Sequence, residues 1–64
     1  MVADREIYRA ADLLIRLHGG DAETEAAVLV ALMQFRGDPE KVTVWMRITR
    51  AIAELQAAPL CLQR

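Results

Sequence analysis

The sequence predicts an all-α fold, a three-helix up-down-up bundle that associates as a homo-oligomer. Three observations predict it. Two junctions, His18-Gly19-Gly20-Asp21 and Arg36-Gly37-Asp38-Pro39, each pair a helix-stop signal with a helix-start signal. No stretch alternates apolar and polar residues with period two over a strand's length. And the run Ala26-Ala27-Val28-Leu29-Val30-Ala31-Leu32-Met33 is apolar without a break, although it lies in a segment that otherwise reads as helix. More than two helical turns of apolar residues point side chains in every direction. A helix packed on one side needs only a stripe little more than about 100° wide.

The first helix is expected over 5–18. Ile7, Ala10, Ala11, Leu14 and Leu17 make its main apolar stripe, widened by Leu13 and flanked by Tyr8 and Ile15. Arg5, Arg9, Asp12 and Arg16 recur at spacings of four, three and four and line the wet face, with Asp12 and Arg16 placed as an i,i+4 pair. Gly19 is expected to close this helix in a left-handed conformation, and Asp21 to cap the next through its carboxylate.

The second helix is expected over 22–36. Its charges sit at its ends. Glu23 and Glu25 fall in or near the first turn and Arg36 in the last, each where the helix dipole favours that sign. Gly37 stops it. The third helix is expected over 39–57, with Asp38 as its cap and Pro39 at its first position, where the missing N–H costs nothing. Trp45, Ile48, Ile52 and Leu55 form its apolar stripe; Arg47, Arg50 and Glu54 lie opposite. Pro59 ends it or follows its end, leaving a tail over 58–64. The whole chain, 1–64, reads as one helical domain.

Short connections make consecutive helices antiparallel neighbours. This arrangement brings Tyr8, Phe35 and Trp45 to one end of the bundle as an aromatic cluster. It also leaves the third helix longer than the others, with Leu55, Leu60, Cys61 and Leu62 overhanging.

With 64 residues the chain buries only about 60% of its unfolded surface and needs reinforcement. Cys61 is the single cysteine, so no intrachain disulfide forms, and with His18 the single histidine there is no His/Cys zinc set. No cofactor or metal is expected. Asp21, Glu23 and Glu25 echo the first three positions of a calcium loop. The glycine that should follow is replaced by Ala26, and the twelfth position is Leu32, so the helical reading stands. His18 beside Asp21 is explained by helix termination, and no nucleophile accompanies it. The expectation is therefore a non-enzyme.

A net charge of −1 gives no electrostatic reason for nucleic acid or an anionic membrane. The run 26–33 is far shorter than the roughly 20 residues that span a bilayer. The charged start Met1-Val2-Ala3-Asp4-Arg5-Glu6 lacks a signal-type apolar core, and the end Cys61-Leu62-Gln63-Arg64 does not match a prenylation box. A lone cysteine fits a reducing cytoplasm.

What remains is association. The expected role is a small, self-associating helical interaction module, adaptor or regulatory, forming a homodimer or higher homo-oligomer. Its interface residues are Ala27, Val28, Val30, Ala31 and Met33 on the second helix, with Leu55, Leu60 and Leu62 from the overhang. One alternative is a small DNA-binding regulator using Arg47 and Arg50 on the third helix, with Lys41. The field is weak, being offset by Glu40 and Glu54. The other is an accessory subunit of a heteromeric complex, whose partner is a different protein.

Arg9-Ala10-Ala11, Leu14-Ile15, His18-Gly19 with Asp21-Ala22, Gly37-Asp38, Val44-Trp45, Arg47-Ile48 and Ala51-Ile52 with Glu54-Leu55-Gln56 together resemble a family of short uncharacterised bacterial proteins, a domain of unknown function. The resemblance covers most of 9–56. It implies a free-standing small bacterial protein and assigns no catalytic role. The segment 26–33 is more apolar than that family's, and the tail after Ala57 has no counterpart in it.

Overall fold

The computed structural model describes residues 3–62, with side chains described for 3–57. The described residues are helical almost throughout and contain no strand, as the sequence predicts. Helix α1 spans Asp4–His18, α2 spans Ala22–Arg36 and α3 spans Pro39–Leu62. The expectation of three separate helices needs correction. The residues between α1 and α2, Gly19–Asp21, form a 3-10 turn, so helical backbone continues from 4 to 36 as one bent helix. The fold is two helices, one bent, rather than three joined by loops.

The chemistry of the two junctions explains the difference. At the bend, Gly19 takes a positive φ of 60° and its N–H still reaches the Ile15 carbonyl, while the Ala22 N–H turns back to the Gly19 carbonyl. Backbone groups satisfy one another there, and the expected side-chain cap from Asp21 is not made. At the second junction Gly37 is left-handed (φ 75°, ψ 37°), and Asp38 N–H bonds the Met33 carbonyl while Gly37 N–H bonds that of Gln34. This is a Schellman closure, and it stops α2 outright. Asp38 then caps α3 as expected, its Oδ1 accepting from the Lys41 N–H at 3.2 Å.

Helix α3 passes through Pro59 to Leu62, beyond the expected end near 57. Its 24 residues reach about 36 Å, whereas the 15 residues of α1 or α2 reach about 22 Å. The longest dimension of the molecule, 42 Å, follows from that mismatch.

The core is small and built on alanines. Ile7 and Ala11 of α1, Ala22 and Ala26 of α2, and Ile48, Ala51 and Ile52 of α3 are buried. Ala10, Leu14, Ile15, Val44 and Trp45 pack around them. Among the described residues, Ala at four of seven buried positions lets backbones approach closely, and Ile52 is the large side chain buried completely. Leu17, assigned to the α1 stripe, is 67% exposed, lying about 100° round the helix from the buried pair Ile7 and Ala11.

The arms are tied by polar contacts at their edges. Arg47 pairs with Asp4, and the Tyr8 hydroxyl donates to Glu54 Oε1 at 2.6 Å. Gln56 Nε2 donates to the Gly19 carbonyl at 2.9 Å, fixing the bend against α3. Rising numbers in α1 thus meet rising numbers in α3, so the two run in the same sense. The expected Asp12–Arg16 pair forms at 2.9 Å.

Candidate functional site

Positions in α2 advance by about 100° each, so burial at a few residues fixes the orientation of all. Ala22 and Ala26 are buried, and Leu29 and Met33 are half-buried. These four, spaced four, three and four, form the inner face. The opposite face carries Thr24, Val28, Ala31 and Phe35 at the same spacing, with Ala27 and Leu32 beside them, and all six are exposed. Val28 is 58%, Leu32 39% and Phe35 90% exposed. An aromatic ring almost wholly in water, in line with two aliphatic side chains, costs solvation free energy that the isolated chain does not recover.

The interface residues expected from the sequence do not share one face. Ala27, Val28 and Ala31 lie on the outer face. Val30 is half-buried at its edge, where with Glu23 and Ala27 it lines an apolar groove against Met46, Thr49, Arg50 and Ala53 of α3. Met33 is half-buried and about 140° round the helix from Val28, among the inner positions. Leu55 is partly exposed on α3. The side chains of Leu60, Cys61 and Leu62 lie outside the described residues.

Leu32 and Phe35 were missed by sequence reasoning. Alanine spacing gives no signal for the face, since Ala22 and Ala26 are buried while the equally spaced Ala27 and Ala31 are exposed. Once burial of Ala22 and Ala26 defines the inner face, Thr24, Val28, Ala31 and Phe35 follow as the outer one. The expected aromatic cluster is absent for the same reason. Phe35 points outward, while the Tyr8 hydroxyl is held at Glu54, nine positions or about 13 Å along α3 from Trp45.

A second cluster, Asp4, Tyr8, Arg47, Arg50 and Glu54, lies where α1 meets α3. Arg50 pairs with Glu54 at 3.6 Å, and Arg47 with Asp4. The two arginines weighed as DNA contacts therefore already face carboxylates. The hydrogen bond to Glu54, then that carboxylate's negative charge, raises the Tyr8 phenol above its ordinary 10.0. The folded state therefore favours the protonated phenol. Its contribution is complete below pH 10 and is lost as the pH climbs through the raised value. The melting temperature of the wild-type chain should thus fall more steeply above about pH 10 than that of Tyr8→Phe, which keeps the ring but has no proton to lose. Melting curves between about pH 8 and pH 11 test this, and parallel slopes would refute it.

Among the described residues, no three His, Cys, Asp or Glu side chains are grouped to hold a metal ion, and no helix is long and apolar enough to cross a membrane. No buried side-chain polar atom lacks a partner there. No family model, curated protein or solved structure matches the chain.

Proposed function

We propose that this chain is a small non-catalytic interaction module, adaptor or regulatory, that associates with further copies of itself through the outer face of α2. The observation that carries the reading is Phe35, 90% exposed, in line with exposed Val28 and Leu32 on the side of α2 that faces away from α1 and α3. The core supports it. With alanine at four of the seven buried positions among the described residues, little apolar surface is hidden there, and a small domain of this kind gains stability from association.

Mass measured in solution across a wide concentration range tests the proposal. The expected result is a shift from monomer to dimer or higher oligomer as concentration rises, accompanied by a rise in melting temperature through mass action. A monomer at every concentration would overturn it.

A further inference from the structure

Resting on that reading, we infer that the second copy docks on α2 antiparallel, about a two-fold axis passing between Leu29 and Val30. The outer face is complementary to itself only in that sense. Reversal about this midpoint sets Thr24 against Phe35 of the second copy, and Val28 against Ala31. Each large side chain then meets a smaller one. An interface between identical copies related by a two-fold must match its own surface in this way.

The charges agree independently. Glu25 and Arg36 are eleven positions apart, which brings them within about 20° on the same flank of the helix. A two-fold perpendicular to antiparallel helices brings each flank against the same flank of its mate. Glu25 of one copy then lies opposite Gln34 of the other, with Arg36 about 3 Å further along, within reach of its long side chain. The pair forms twice. Among the described residues Glu25 and Arg36 are both exposed, and neither has an ion pair within its own chain. A parallel dimer would instead set the acidic first turns, each with Glu23 and Glu25, side by side.

Cysteine pairing in the full-length chain, with Cys61→Ser as background, tests the inference. Thr24→Cys and Phe35→Cys chains are mixed and oxidised. The mixed disulfide should form readily, whereas Thr24→Cys alone should not couple, because two copies of position 24 would be about 16 Å apart along the axis. Val28→Cys mixed with Ala31→Cys gives a second crossing that leaves Phe35 in place, and it should couple as well. Glu25→Arg alone should weaken association by at least about threefold, and adding Arg36→Glu should restore it. Coupling of Thr24→Cys with itself, or a dimer in which neither mixed pair couples, would overturn the antiparallel arrangement while leaving self-association intact. A chain monomeric at every concentration would overturn both.

Discussion

Ile52→Ala should lower the stability of this chain by about 2–5 kcal/mol, a large share of what a domain of this size has. Ile52 is completely buried, and most of the other buried positions are alanines with no side chain able to move into the space left behind. The cost of such a truncation grows with the cavity that remains, and an alanine core with short arms is poorly able to collapse. At about 4–8 °C per kcal/mol, the melting temperature should drop by at least about 8 °C. The variant should be substantially unfolded near room temperature if the chain starts from the few kcal/mol usual at this length. Leu17→Ala is the control. Leu17 is 67% exposed, so its loss should change stability by no more than about 0.5 kcal/mol. Thermal unfolding followed by circular dichroism compares the two. Equal melting temperatures for Ile52→Ala and the parent would mean that Ile52 is not at the centre of the core.

The contrast between Ile52 and Leu17 also marks what can be read from this sequence. Periodicity located both as apolar stripe residues, and Arg36-Gly37 is a local signal that marks where α2 stops, whereas the start expected at Asp21-Ala22 falls inside a helix that runs on from α1. Whether a stripe residue is covered depends on crossing angles, which no local pattern encodes. Asp4 with Arg47, Tyr8 with Glu54 and Gly19 with Gln56 tie α1 and the bend to α3 across long sequence separations, and Leu17 stays in water. The junction at His18-Gly19-Gly20-Asp21 resembles the one at Arg36-Gly37-Asp38-Pro39, yet one bends a helix and the other ends it. The second has both Gly37 in the left-handed region and Pro39, which has no N–H to carry the helical ladder on. The first lacks a proline, so a 3-10 turn carries the helix through. The unbroken run 26–33 hid the orientation of α2, because periodicity needs polar residues to mark the wet side. Alanine spacing does not mark it either, since Ala26 is buried while Ala27 and Ala31 are exposed.

Orientation decides where a charge will break association without breaking the fold. Val28→Glu should weaken self-association by about 100-fold or more and leave helicity unchanged. In the isolated chain Val28 is 58% exposed on the outer face, so a carboxylate there stays hydrated, and glutamate favours helix slightly more than valine. In the proposed dimer the same carboxylate would be buried against Ala31 of the second copy with no cation beside it, once in each half of the interface. An unpaired buried charge costs about 3–5 kcal/mol, which at 1.4 kcal/mol per factor of ten exceeds two orders of magnitude in the dissociation constant. Phe35→Ala should act in the same direction by removing the largest anchor, and as Phe35 is 90% exposed its loss should spare the core. Val30→Glu separates packing from association. Val30 is half-buried in the groove against Met46 and Ala53, so a charge there should also lower the melting temperature of the monomer. Analytical ultracentrifugation of the three variants, with far-ultraviolet circular dichroism on the same samples, gives both readouts. An oligomer unchanged by Val28→Glu would remove the outer face of α2 as the interface, and unfolding by Val28→Glu at low concentration would place that residue in the core.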